Sequence, residues 1–254
     1  MPDVKGFLID LGGVVYQGDA PVPGSPEAIS RLREAGIPFR FLTNTTSKPK
    51  SSILKKLLAV GIPAESHDIF TPAAAARDYI VAQDLDPYYF ISSQLLEDFQ
   101  GIPAGAVPAV IVGDAGDGFT YRNMNLAFRR IEAGAELIAL ANNRKFVDDE
   151  GETSLDVGAY VAALEFASGR RATILGKPSA EFFHLAVDAM GLAAGETAMI
   201  GDDAEFDASA AVKAGLVGVL VRTGKWKPGA ADGLDPRPTL EFEDLLQAVD
   251  RLLS

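Results

Sequence analysis

Carboxylates, an ammonium and a hydroxyl–amide pair stand at the ends of short apolar runs in this chain. Residues 5–10 (KGFLID) end in Asp10, and residues 38–43 (PFRFLT) run into Thr43-Asn44-Thr45-Thr46. Residues 172–176 (ATILG) run into Lys177-Pro178. Residues 197–202 (TAMIGD) end in Asp202, followed by Asp203 and, four residues later, Asp207. Open parallel sheets bind ligands just beyond the carboxyl ends of their strands. If these four runs are neighbours in one sheet, their polar residues converge, and the set suits phosphoryl transfer. A carboxylate such as Asp10 attacks phosphorus to give an aspartyl phosphate. Asp10 and Asp202 offer hard oxygen ligands of the kind Mg²⁺ takes. Lys177 supplies a point charge for phosphoryl oxygens and screens Asp10 from Asp202, while Thr43 and Asn44 donate hydrogen bonds. The Gly12-Gly13 turn lets backbone N–H groups approach the transferring group. Asp203 and Asp207 are secondary candidates. Asp207 either holds Lys177 or a metal-bound water, or is a solvated carboxylate at a helix start.

The elements that must position these residues alternate in type. Helices are predicted over residues 25–35, with Ser25 as cap, Pro26 in the first position and Gly36 closing it. Others are predicted over 50–60, with Ile53, Leu54, Leu57 and Leu58 facing a core, and over 71–83, 179–190, 204–214 and 245–253. Residues 217–222 (VGVLVR) read as a further strand. Near-continuous apolar strands separated by helices predict an α/β fold, a parallel sheet with helices on both faces. Residues 85–170 read as a second α/β unit, with strands at 88–92, 109–112 and 136–141 and helices near 120–133 and 156–168. In it, Asn142-Asn143-Arg144-Lys145 follows a strand. Asn142 and Asn143 read the substrate if that strand points at the core, and otherwise lie in a solvated turn. The acidic residues 148–152 read as a hairpin tip. His67 and His184 lack metal-ligand spacing and read as structural, and Trp226 as a surface aromatic flanked by Lys225 and Lys227.

Composition narrows the partners. The net charge of −12 argues against a general binder of nucleic acid or anionic membranes, but leaves phosphate substrates, which respond to local fields. The absence of cysteine excludes disulfides, thiolate metal sites and thiol catalysis. No apolar run reaches about 18 residues, so no transmembrane helix is expected, and the first residues lack a signal-peptide layout. A cytoplasmic location is the expectation.

These motifs resemble those of the haloacid dehalogenase superfamily of aspartate-nucleophile phosphatases. The matching stretches are FLIDLGGVVY from Phe7, FLTNTT from Phe41, Gly176-Lys177-Pro178, and Gly201-Asp202-Asp203 with Asp207. They span essentially the whole chain, and their spacing is similar to the subgroup with a large cap inserted between the second and third motifs. The resemblance implies a Rossmann-like core at residues 1–84 and 171–254 and an α/β cap at residues 85–170. It implies Asp10 as nucleophile and Mg²⁺ ligand, the Gly12 carbonyl and Asp202 as further ligands, and Thr43, Asn44 and Lys177 on the phosphoryl group. It also implies a small phosphorylated substrate or pyrophosphate and a homodimer as a family arrangement, and the acidic balance adds the expectation of no nucleic-acid or membrane partner. One position departs: the acid–base aspartate two residues after the nucleophile is Gly12. Losing such a group costs typically about 10²–10⁴-fold and favours leaving groups that need little protonation, such as pyrophosphate. The expected function is a Mg²⁺-dependent phosphatase. The alternatives are a regulatory protein of the same fold, weakened through Gly12, and a phosphoacceptor signalling domain, which fits badly because such domains are smaller and carry no inserted cap.

Overall fold

Short runs of buried apolar residues make strands covered on both faces, and two parallel sheets of this chain are built that way. The computed structural model describes residues 2–147 and 152–254. Residues 148–151, most of the expected acidic tip, lie outside the described residues. The chain divides into two units. Residues up to Thr43, Ser51–Phe70 and Lys177–Ser254 form the first, and Asn44–Lys50 with Thr71–Gly176 the second.

The first unit holds a six-stranded parallel sheet in the order Leu240–Phe242, Val217–Val221, Thr197–Gly201, Gly6–Asp10, Phe39–Leu42, Ile69–Phe70. Gly6–Asp10 is buried at every residue and pairs on both sides, Ile9 with Ile200 and Asp10 with Leu42. That register brings Asp10, Thr43 and Asp202 to one edge of the sheet. Phe7, Ile9, Phe41, Ile200 and Val219 share one core with Ile29 and Leu32, Leu57, and Val249 from three helices: Ser25–Glu34, Lys50–Ala59 and Leu245–Leu253. Ser25 does not cap its helix. Gly24 precedes it in the left-handed region (φ 80°), and the buried Ser25 hydroxyl donates to the Val15 carbonyl.

The second unit holds a four-stranded parallel sheet in the order Thr173–Ile174, Glu136–Ala139, Val107–Val112, Leu85–Phe90. Strand alternation sorts its two faces. Val110 and Val112 meet Ala127 and Ile131 of helix Tyr121–Glu132 and Val161 and Leu164 of helix Val157–Ser168. Ala109 and Ile111 share the opposite core with Ala73, Ala76 and Ile80 of helix Pro72–Ala82, which Thr71 caps by accepting from Ala74 N–H. An antiparallel hairpin, Lys145–Val147 with Thr153–Leu155, flanks the acidic segment.

Three sequence expectations change here. The expected edges at 84/85 and 170/171 fall inside the second unit, because helix Pro72–Ala82 buries its small apolar face in that unit's core and Thr173–Ile174 pairs with Glu136–Ala139. The strand before Lys177 is therefore not a member of the first unit's sheet. Three of the four expected strand ends share one sheet, and Lys177 arrives from the connection leading into helix Ala180–Asp188. The predicted helix over 204–214 divides into a π-helical turn, Ala204–Ser209, and a short α-helix, Ala210–Lys213. No helix among the described residues is long and apolar enough to cross a membrane.

Candidate active site

Asp10 closes the central strand of the first unit and is only 7% exposed. The Lys177 ammonium donates to Asp10 Oδ1 and to Asp207 Oδ1, each at 2.6 Å, with all three side chains buried. Asp207 reaches this position through the π-helical turn. Asp203 starts that turn, its Oδ1 accepting from the N–H groups of Glu205 and Phe206, and its carbonyl accepts from both Asp207 N and Ala208 N. The widened turn lays Asp207 over Gly201, where any Cβ would collide with the Asp207 side chain. Such π-turns occur often at functional sites. Of the two readings of Asp207, the structure selects the counter-ion of Lys177: the carboxylate is 1% exposed, and its Oδ2 accepts from Asp203 N at 3.2 Å.

Asp202 is held differently. Its Oδ2 accepts from Lys225 N at 2.7 Å and lies between the α-carbons of Gly13 (φ 80°) and Gly224 (φ 57°). A Cβ on either glycine would strike that oxygen. Both positions also need the left-handed backbone that glycine adopts freely. Asp202 Oδ1 is buried with no hydrogen-bond partner among the described residues, an arrangement that costs free energy unless something satisfies it. One carboxylate oxygen each from Asp10, Asp202 and Asp207 lie within 4.8 Å of one another. Since Lys177 and Asp203 N engage both Asp207 oxygens, Asp10 and Asp202 are the better placed to share a cation. Hard oxygens, a buried acidic cluster and an orphaned carboxylate oxygen fit a divalent cation such as Mg²⁺.

The electrostatics follow from three crowded carboxylates, two of which share one buried ammonium. Burial, then the charges of Asp10 and Asp207, push Asp202 up to about 8. Burial pushes Asp207 up to about 6, against the pull of Lys177 and with a further push from Asp10. Burial alone would lower Lys177, but Asp10 and Asp207 override it and hold the ammonium raised. Burial, then the Asp10 charge, also raises the Tyr16 phenol, a group the sequence did not single out.

The remaining expected residues fall as follows. Thr43 is buried at the end of Phe39–Leu42, its N–H donating to the Phe70 carbonyl at 3.3 Å. Asn44 belongs to the second unit, where its Nδ2 donates to Asn143 Oδ1 at 3.1 Å; Asn142 is exposed. Gly12 is exposed, lies outside the left-handed region, and has open space where a Cβ would be. Asp203 accepts the hydrogen bonds that begin the π-turn, and its Oδ2 lies 3.5 Å from the Lys225 ammonium. His184 is exposed, with Nε2 2.7 Å from the Ala214 carbonyl, and His67 lies beside Glu65 and Asp68. Trp226 is half-buried rather than a surface aromatic. It packs on Ala204, Ala208 and Leu220, and its indole N–H donates to Glu241. The sequence reading also missed the Lys225 backbone N–H as the partner of Asp202. Its only signal was the glycine at 224 just beyond an apolar strand.

The chain is similar to several known proteins. Residues 7–102 match the family described as haloacid dehalogenase-like hydrolase, and residues 174–248 match one described as HAD-hydrolase-like. The chain is 38% identical to haloacid dehalogenase-like hydrolase domain-containing protein 2 of Bos taurus, over 98% of this chain and 96% of the relative. It is 35% identical to phospholysine phosphohistidine inorganic pyrophosphate phosphatase of Danio rerio, over 100% of this chain and 96% of the relative. It is also similar to the solved p-nitrophenyl phosphatase from Archaeoglobus fulgidus, with a TM-score of 0.89 at 25% identity, covering 99% and 100% of the two chains. Fold and site together define a hydrolase with an acidic centre at the carboxyl edge of a parallel sheet. The chain belongs to the haloacid dehalogenase-like hydrolase family.

Two outcomes are expected. Asp202 and Asp207 have folded-state pKa values above those of unfolded carboxylates, so the folded state retains protons that the unfolded state has released. In chelator, the stability contributed by these two groups is therefore full at about pH 4 and is lost as pH rises through 6 and 8. Melting temperatures across that range check this, and saturating Mg²⁺ or Asp202→Asn should flatten the upper part of the slope. The second concerns Lys177→Met, which leaves Asp10 and Asp207 buried without their shared cation. It should cost roughly 3–5 kcal/mol near neutral pH and less at pH 5, measured by denaturant titration.

Proposed function

We propose that this chain is a Mg²⁺-dependent phosphatase acting through an aspartyl phosphate on Asp10, with a small phosphorylated substrate or pyrophosphate. The observation that carries this reading is the buried Asp10–Lys177–Asp207 arrangement, beside which Asp202 presents an unsatisfied carboxylate oxygen. The cation would be held by Asp10, Asp202 and the Gly12 carbonyl, and would neutralise charge on the phosphoryl oxygens. An Asp10 carboxylate oxygen attacks phosphorus, and the leaving group departs with the electron pair of its bond. Water then attacks the phosphorus of the aspartyl phosphate, releasing phosphate and restoring the carboxylate. Lys177, fixed by Asp207, gives the phosphoryl oxygens a stationary positive charge. Thr43 and Asn44 supply hydrogen bonds.

Gly12 shapes the choice of substrate. Without a side chain there, no carboxyl two residues after Asp10 protonates the leaving group. Pyrophosphate needs little such help, and the Danio rerio relative is named for inorganic pyrophosphate and for phospholysine and phosphohistidine. A regulatory role without turnover is disfavoured, because relatives and structural neighbours of the chain are named as phosphatases. The net charge of −12 speaks against a nucleic-acid partner, and a cytoplasmic location and a homodimer complete the reading.

Asp10→Asn should abolish phosphate release from pyrophosphate and p-nitrophenyl phosphate while leaving circular dichroism unchanged. Wild-type turnover in this variant, with deamidation excluded by mass spectrometry, would remove Asp10 as nucleophile. Gly12→Asp should raise the ratio of alkyl phosphate to pyrophosphate turnover in Mg²⁺-saturated protein. A Cβ at Gly12 meets nothing within 4 Å, and the backbone there lies outside the left-handed region, so the substitution carries no backbone strain. A ratio that stays level or falls would mean that another group or water handles the proton.

A further inference from the structure

The turn that holds Asp202 lies within the first unit. Strand Val217–Val221 runs into Arg222, and residues 223–226 then reverse the chain, Trp226 N donating to the Thr223 carbonyl at 3.1 Å. Gly224 supplies the left-handed backbone of this reversal (φ 57°). The same glycine admits Asp202 Oδ2, which lies 2.0 Å from where its Cβ would stand. Lys225 N then donates to that oxygen at 2.7 Å.

Trp226 anchors the far end of the turn. Its ring packs against Ala204, Ala208 and Leu220, and the two alanines belong to the π-helical turn that carries Asp207. Its indole N–H donates to Glu241 Oε1 at 3.1 Å, and Arg222 Nε donates to the same oxygen at 2.9 Å. The Arg222 guanidinium lies 5.6 Å from the ring centroid. Glu241 stands on strand Leu240–Phe242, which pairs with Val217–Val221. The indole is thus tied to the sheet through Glu241 and to the π-turn through its ring.

We infer that Trp226 is a positioning residue for the cation site: by anchoring the 223–226 turn it keeps the Lys225 N–H on Asp202 Oδ2, and so leaves Asp202 Oδ1 as the oxygen offered to a divalent cation. The inference rests on the reading of Asp202 as a cation ligand and adds a residue outside the acidic cluster that sets its geometry. A carboxylate fixed through one oxygen has less rotamer freedom to lose when the other takes a cation. The donor is a backbone N–H, so ordinary side-chain substitutions at Lys225 leave it in place. The anchor at Trp226 is where the contact can be loosened.

Two measurements that need no turnover test this. The first is amide hydrogen exchange at Lys225 in chelator. Trp226→Ala should speed it about tenfold while exchange in strand Gly6–Asp10 stays unchanged, and Trp226→Phe, which keeps a packed ring, should stay within about threefold of wild type. The second is calorimetric titration with Mg²⁺ near neutral pH. Trp226→Ala should weaken Mg²⁺ affinity about three- to tenfold, the scale of one hydrogen bond, and Trp226→Phe should recover most of the loss. A merely structural Trp226 would lower the melting temperature and leave both readings at their wild-type values. That result would overturn the inference, as would faster exchange with unchanged Mg²⁺ affinity. If the alanine variant does not fold, Trp226→Leu keeps apolar volume without the indole N–H, and about a two- to threefold loss of affinity is expected. Wild-type Mg²⁺ binding that survives Asp202→Asn would overturn the cation reading itself. Binding lost in Asp202→Asn but undiminished in the Trp226 variants would overturn the positioning role alone.

Discussion

The ammonium of Lys177, held between Asp10 and Asp207, is the interaction on which the first unit's chemistry depends. Three carboxylate oxygens gathered within 4.8 Å in a buried place repel one another. One cation with two short hydrogen bonds compensates part of that repulsion, and the π-helical turn exists where Asp207 must fold back to meet it. Gly201, Gly13 and Gly224 are absences serving the same end. Each removes a methyl group that would occupy the space of an Asp207 or Asp202 side chain. The local backbone is thus shaped around carboxylates, in contrast to the core behind it, where Phe7, Ile9 and Phe41 follow ordinary strand alternation.

The site is also unequal in its charges. Asp10 and Asp207 share Lys177, whereas Asp202 has a backbone N–H on one oxygen and, among the described residues, no hydrogen-bond partner on the other. Burial and its like-charged neighbours lift Asp202 furthest, up to about 8. A group in that condition gains most from a cation, because binding relieves desolvation and repulsion together. A buried carboxylate left unsatisfied inside an otherwise well-bonded cluster is poor for stability and suited to binding.

Much of this was legible in the sequence, and the failures have a common cause. Hydrophobic runs bounded by glycine and proline marked Gly6–Asp10, Phe39–Leu42 and Thr197–Gly201 as buried parallel strands, and the structure gathers carboxylate oxygens of Asp10, Asp202 and Asp207 within 4.8 Å of one another. Residues 172–176 looked the same, yet Thr173–Ile174 joined the second unit's sheet. Buried parallel strands resemble one another in composition, so sheet membership is decided by packing between elements distant in sequence. Helix Pro72–Ala82 was misplaced for the same reason: its alanines fit closely against a sheet that no local pattern identifies. Asp207 and Trp226 were ambiguous because their burial depends on the π-turn and on a small apolar cluster, neither of which leaves a periodic signal. The Asn44–Asn143 contact joins two loops, where periodicity says nothing.

The central position of Gly6–Asp10 has a consequence for biosynthesis. Asp10 is made before the rest of its site: its counter-ion lies 167 residues later and the flanking strand Thr197–Gly201 later still. Residues 71–176 form an uninterrupted stretch that emerges from the ribosome between them. Domains fold as units in the order of their synthesis, so the second unit is complete while the first still lacks half of its sheet. Until the last third of the chain appears, Asp10 stays in water at an open strand edge, without Lys177 beside it. The acidic centre is therefore among the last parts of the molecule to assemble, and a nascent chain halted before residue 177 carries the carboxylate without the means to bury it.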